Sequence, residues 1–214
     1  IGAAILWLLS GVALGVIAAI KRGTWVDRFA VGLSLFGVSF PVILTALLLL
    51  YFVCTKLQWL PYPDPANASL FGDGPWPWFQ TFILPWIVLA MLFASLYVRL
   101  TRANMIETMG EDYIRTARAK GLGERDVTRH GLRAALTPIV TIFGLDLGGL
   151  LGGAVLTESI FGLPGIGRQS VQAVLSQDLP MIMGVVLFAA FFIIVANIVV
   201  DVLYAFIDPR VRFS

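Results

Sequence analysis

The sequence predicts an all-α membrane protein, on three observations. First, 58% of its 214 residues are apolar and 13% charged, with a mean hydropathy of +0.88. Ordinary soluble domains are about 45–50% apolar, so too few polar residues remain to cover a globular surface. Second, the apolar residues gather into blocks of the length, about 20 residues, that carries a helix across a hydrocarbon core of about 30 Å. Third, Lys and Arg fall almost entirely into alternate gaps between those blocks.

Five blocks qualify as spans: roughly 1–20, 33–55, 81–98, 136–157 and 181–206. None shows the period-2 alternation of a barrel strand, so helices are expected throughout. The last block is long enough to tilt or to project past the bilayer. The chain opens at Ile1, already inside an apolar run. A signal peptide is not expected there, because the run is long and its basic residues, Lys21 and Arg22, follow it. The expectation is a chain that continues N-terminally.

The segments 21–32, 99–135 and 207–214 hold 13 of the 15 basic residues, and 56–80 and 158–180 hold only Lys56 and Arg168. The first group is therefore expected on the cytoplasmic side, which puts the C-terminus inside. Trp59, Tyr62, Trp76 and Trp78 fall on the expected outer side, as an interfacial aromatic belt would. The outer segment LPYPDPANASLFGDGPWP is rich in turn formers and reads as irregular. Cys54, the single cysteine, forms no internal disulfide and reads as a small hydrophobe.

The insert at 99–135 is far too polar to span. As one straight helix it would reach about 55 Å, but Gly121 and Gly123 interrupt it, and Gly121 suits a left-handed C-cap. Three pieces are expected. YVRLTRANMIETMG continues the third span inward to about Gly110. A short helix runs from about Asp112 to Lys120, and a second from Glu124 to Leu136. Pro138 then stands at the first turn of the fourth span or kinks its entry. The short helix has a low surface at Ala117 and Ala119, rimmed by Arg115, Arg118 and Lys120. That shape suits a partner's groove. By the residues alone, a basic loop that only sets topology is favoured, since positive inner loops are the rule.

Within the membrane, Asp146 stands in TIFGLDLGGLLGGAVL. A carboxylate at mid-helix costs about 2.5–3.5 kcal/mol to insert, so it faces a cavity or a partner. Two readings stay open: a lining residue of a translocation path that meets a peptide amine, or a polar contact to a neighbouring helix. Gly144, Gly148 and Gly152, with Gly149 and Gly153, put small residues at four-residue spacing, where backbones approach closely. Asn197 and Asp201 share a helix face, and structural hydrogen bonds are expected of both. GLPGIGRQS has the glycine spacing of a phosphate-binding loop, but Arg168-Gln169 stands where Lys-Ser/Thr is needed. The lone His130 and the absence of a Cys/His cluster argue against a metal site. No nucleophile–base pair or carboxylate dyad has supporting spacing, so no catalytic residue is expected.

Three separated motifs change the weight of these readings. RTARAKGL (115–122) followed by RHGLRAALTPIV (129–140), then ESIFGLPGIGR (158–168), then DVLYAFIDPRVR (201–212), resemble the permeases of ABC importers. The likeness is to the dipeptide/oligopeptide (peptide/nickel) subfamily, to its B-type membrane subunit, and it covers essentially the whole chain. The general signature is Glu-Ala-Ala, three residues, then Gly. Ala117 and Gly121 match it, whereas Arg115 and Thr116 replace the Glu and the first Ala, and Leu132-Arg133 stands near a Leu-Pro.

The resemblance implies a type I ABC importer transmembrane domain over 1–214, with 99–137 as its cytoplasmic coupling loop. Five helices would be present of an expected six, the first helix and the external segment after it being missing. It implies that Arg115, Thr116, Ala117, Arg118, Ala119, Lys120, Gly121 and Leu122 form a coupling helix in a cleft of an ATPase. Asp146, Gly149 and Gly153 would line the path, and Glu158, Phe161, Pro164 and Gly165 would belong to an external gate. The expected partners are a second homologous permease, two ATPase subunits or domains, an extracellular peptide-binding protein and the lipids of a bacterial inner membrane, with no nucleic acid. No cofactor is expected on this chain, ATP and Mg belonging to the ATPases. The implied cargo is a di- or oligopeptide, with glutathione or chelated nickel as alternatives. An ATPase-independent secondary transporter is the competing class, but no inverted repeat supports it.

Overall fold

The computed structural model describes residues 1–65 and 74–207, and helices alone carry its regular structure. The first, α1 (Gly2–Ile20), lies along the long α4 (Pro75–Met109). Small residues let them approach: a Cβ at Gly11 would lie 2.5 Å from Tyr97 Cβ, and one at Gly15 would lie 2.6 Å from Thr101 Cβ. Around this seam Trp7, fully buried, stacks on Phe93 at 4.6 Å between ring centroids and meets Phe143 edge-on at 5.9 Å. Offset and edge-to-face packing of this kind suits the charge distribution of aromatic rings.

The second span is not the straight helix expected over 33–55. Helix α2 (Trp25–Ser39) and the following α3 (Val42–Leu49), which continues as a π-helical stretch Leu50–Lys56, meet at a bend of 98°. Pro41 supplies the physical reason. It lacks an N–H and pushes Phe40 into an extended conformation, ψ 124°, so no helix passes through the pair. Four continuous helices among the described residues, α1, α4, α6 and α9, have the length and apolarity of a membrane span, and the bent pair makes a fifth.

Helix α4 combines the third span and its inward extension in 35 residues, about 50 Å at the standard rise. It starts at Pro75, six residues before the expected boundary, and ends at Gly110. A short α5 (Asp112–Ala119) follows, then α6 (Glu124–Leu151). Two expectations about α6 are corrected. The helix before Pro138 and the span after it are one helix with Pro138 inside, and this helix stops at Leu151 instead of reaching 157. The stop is set by Gly153, at φ +112°: a Cβ there would lie 2.6 Å from the amide nitrogen of Gly167.

After the stop come α7 (Val155–Ile160), α8 (Ile166–Leu175) and α9 (Leu179–Ile207). In the segment 158–180, Phe161 and Leu163 are buried with Leu84 and Val88 of α4 and Ala46 of α3, so its first part packs against the helix bundle. Helix α8 is amphipathic: Ala173 is buried while Val174 and Leu175 are exposed. Gly144, Gly148 and Gly152 form one ridge against α9: added Cβ atoms would meet Val200, Ala196 (2.8 Å) and Ala189 (3.2 Å). Gly149 is not part of that ridge and has open space around it.

Of the four outer aromatics, Trp59, Tyr62 and Trp76 are exposed, whereas Trp78 packs against Trp86, 5.3 Å between centroids. Residues 66–73, in the outer segment, and 208–214, which include the end of the C-terminal motif, lie outside the described residues.

Candidate functional site: the basic loop 99–135 and its supports

Helix α5 exists because two glycine-containing turns cut it out of a longer helical pattern. Its C-terminus is a Schellman turn: the Leu122 N–H donates to Ala117 O at 3.3 Å, and the Gly121 N–H to Arg118 O at 2.9 Å. Gly121 sits at φ +81°, the left-handed conformation expected of it. One side chain, Ile114, is fully buried and pins the helix to the rest of the loop. The other residues face outward, so α5 offers a short, cationic ridge.

Its two arginines are held locally. Arg118 Nε donates to Glu124 Oε1 at 3.0 Å, tying α5 to the start of α6 across Gly121–Gly123. Arg115 Nη1 reaches Asp112 Oδ1 at 3.4 Å, an exposed pair. Both are surface ion pairs that contribute about 0–1 kcal/mol each. They fix direction more than stability, and Arg118 and Arg115 remain presentable to a partner. Burial, and secondarily the Glu111 charge, push the Tyr113 phenol up from its ordinary value.

Between α2 and α4 the structure adds a support that sequence reasoning missed. Arg102 of α4 donates to Asp27 of α2 through two hydrogen bonds, Nε to Oδ1 at 2.6 Å and Nη2 to Oδ2 at 2.8 Å. The Gly23 N–H donates to the same carboxylate at 2.9 Å. Asp27 is buried, so the fork-shaped pairing matters: it satisfies a charge that would otherwise lie unpaired away from water. The partners stand 75 residues apart, which no local pattern reveals. The only signal was an acidic residue, Asp27, in a segment otherwise basic.

Asp146 is brought to Tyr97: the phenol donates to Oδ2 at 2.6 Å, linking α6 to α4. The polar contact to a neighbouring helix is therefore present. Asp146 also keeps partial exposure, beside the open face at Gly149 one turn on. Gly153 is not beside them but in the turn against Gly167. The buried Oδ1 of Asn197 has no partner among the described residues. The Asp201 side chain lies outside the described residues.

The segment 158–168 closes on itself. Glu158 accepts the Ala154 N–H at 3.1 Å and the Arg168 N–H at 2.9 Å, and its carboxylate fills the space where Cβ atoms at Gly165 and Gly167 would fall. Arg168 Nη1 donates to Gly162 O at 2.6 Å. Gly162, at φ +66°, ends α7 in a second Schellman turn, with the Leu163 N–H on Glu158 O at 2.9 Å. Of the four residues expected at an external gate, Phe161 is buried, Glu158 and Gly165 are half-buried, and Pro164 alone is exposed.

Residues 11–213 match the family model described as "Binding-protein-dependent transport system inner membrane component". The chain belongs to that family. The match includes every element built above except the first turns of α1. The chain is also 42% identical over 205 residues to a Brucella abortus (strain 2308) protein provisionally named as a peptide transport system permease. It is 40% identical over 208 residues to the protein named glutathione transport system permease protein GsiC of Escherichia coli (strain K12). The alignments cover 95% and 97% of this chain and 64% of each relative. The chain thus spans a little under two thirds of the length of these relatives. The sequence-based likeness to ABC importer permeases of the peptide/nickel type is borne out, as is the multi-pass helical membrane architecture.

Proposed function

We propose that this chain is the non-catalytic membrane subunit of an ATP-driven importer and forms half of a path for di- or oligopeptides across the cytoplasmic membrane. The observation that carries the reading is α5. A family member of this kind needs a rigid cytoplasmic projection, and α5 is a cationic ridge pinned by Ile114, capped at Gly121 and tied to α6 by Arg118–Glu124. Residues 115–122 are the part that docks into an ATPase cleft. Closure of two ATPases then pushes α5 and, through the continuous helices α4 and α6 on either side, moves the spans. The C-terminus lies in the cytoplasm in this arrangement, a second homologous permease completes the path, and an external peptide-binding protein delivers cargo.

Asp146, held by Tyr97 with open space at Gly149, is the residue we assign to a cargo ammonium. Segment 158–168 is assigned to the external gate, with Glu158 fixing its shape and Pro164 presented outward. The relative named for glutathione favours one second reading, a cargo of that tripeptide, on the same architecture.

The test is co-purification. The full-length protein, tagged and extracted from its native cell in mild detergent, is expected to bring a second permease and an ATPase in stoichiometric amounts. Recovery alone, under conditions that preserve a known ABC complex, overturns the reading and returns the basic loop to a topology signal. Uptake of a labelled dipeptide against labelled glutathione then separates the two cargoes.

A further inference from the structure

The cytoplasmic loop encloses a cleft of about 600 Å³ between one flank of α5 and the face of α6 that carries His130, Arg133 and Thr137. Its basic side chains are Lys120, His130 and Arg133, and none has a salt-bridge or side-chain hydrogen-bond partner among the described residues. The neighbouring hollow at Arg22 and Arg118 contains Glu124, and the one at Arg129, which His130 and Arg133 also line, contains Asp126, whereas the residues that line this cleft include no acidic one. The rest of the wall is a phenol, hydroxyls and apolar groups, with Tyr113 48% and Leu122 36% exposed.

Depth decides what such a cleft takes. Arg133 is three residues, about 4.5 Å of helix rise, before Leu136, where the apolar run of α6 begins. Thr137, at the far end of the cleft, is already in that run. One end thus lies at headgroup level and the other faces the cytoplasm. Basic groups at that depth face the anionic surface of the inner leaflet, which attracts Lys and Arg.

We propose that this cleft binds the phosphate of an anionic phospholipid headgroup from the inner leaflet. Arg133 and His130 grip the phosphate from α6, Lys120 closes the site from α5, and Leu122 and Tyr113 cover the apolar glycerol side. The bound lipid fixes the angle between α5 and α6. Its α5 wall, with Thr116, Ala117, Lys120 and Leu122, belongs to the docking residues 115–122, whereas His130 and Arg133 of α6 lie outside them, so the test is placed on those two.

The experiment uses the full-length protein in its native complex, in nanodiscs of equal parts phosphatidylglycerol and phosphatidylcholine. Native mass spectrometry counts the lipids retained after delipidation. Wild type is expected to retain phosphatidylglycerol over phosphatidylcholine. Arg133→Gln is expected to reduce that retention about five-fold, and His130→Gln, which removes a hydrogen-bond donor, by less. Arg133→Lys is expected to restore most of it, and Lys21→Gln, a basic residue outside the cleft, to leave it unchanged. Equal retention of the two lipids, or an equal loss in Lys21→Gln, overturns the site. Displacement of the lipid by glycerol phosphate in solution, as efficient as by vesicles of phosphatidylglycerol, also overturns it, by assigning the cleft to a soluble phosphate. Loss of the co-purifying ATPase in Arg133→Gln with lipid retention unchanged makes the cleft a protein interface and overturns it too.

Discussion

The two loops that join spanning helices at opposite ends of α6 are built with the same turn and for different ends. Each holds a short helix, α5 or α7, closed by a Schellman turn on a left-handed glycine, Gly121 or Gly162. The inner loop then turns its side chains outward. The Arg115 side chain is 72% exposed, and α5 is held by one buried anchor, Ile114, and two surface ion pairs. The outer loop turns inward. Phe161 and Leu163 are buried, and the Glu158 carboxylate is spent on two backbone N–H groups of its own segment. Burial and internal hydrogen bonds stabilise a shape, whereas exposed charges held at one point leave a surface free for another molecule. The inner loop is arranged for contact and the outer one for rigidity.

That contrast is open to attack by mutation, and the largest effect belongs to the outer loop. Gly153→Val places a branched side chain at φ +112° against the backbone of Gly167. The full-length protein is expected to lose its folded state in detergent, measured as loss of a monodisperse peak on size-exclusion chromatography. A normal elution profile and unchanged melting would show that this packing is not rigid.

Next is the ion pair between α2 and α4. Asp27→Ala or Arg102→Ala leaves a poorly solvated charge alone and is expected to cost about 3–5 kcal/mol. The double variant is expected to melt above either single one, because it removes both charges together. Additive losses would mean that the two residues act separately.

Glu158→Ala comes third, at about 1–3 kcal/mol for two N–H donors left half-buried and unpaired. Proteolysis between 158 and 168 is expected to speed up while the inner loop's cleavage pattern stays as it was.

The smallest stability effects and the clearest functional ones belong to the inner loop. Gly121→Val forces a β-branched residue into the left-handed region, at about 1–3 kcal/mol. Arg118→Glu, which replaces one surface ion pair with repulsion, is expected to cost about 1 kcal/mol or less. Both should abolish most transport-linked ATPase stimulation while membrane insertion, read by protease protection, stays intact. Unchanged stimulation in both would sink the docking role of α5.

Much of the helical layout was legible without coordinates. Apolar block lengths located the spans, because hydrocarbon leaves backbone groups no partners outside a helix. Gly121 located the end of α5, because few other residues adopt φ +81°. Pro41 was equally legible and was passed over: hydropathy averages over a proline, while the chain bends 98° at it. Pro138 went the other way, carried inside α6 without ending it.

What the linear chain determined here is the membrane class, the number of apolar blocks and the turn chemistry, since each depends on residues close in sequence. Tertiary structure alone decided which charges are neutralised and which are free. Asp27 meets Arg102 across 75 positions and Asp146 meets Tyr97 across 49, while Lys120, His130 and Arg133 gather around one cleft with no ion pair among the described residues. The reason is physical: a charge's environment is set by what packs within a few ångströms of it, and in a helical bundle those neighbours come from distant segments.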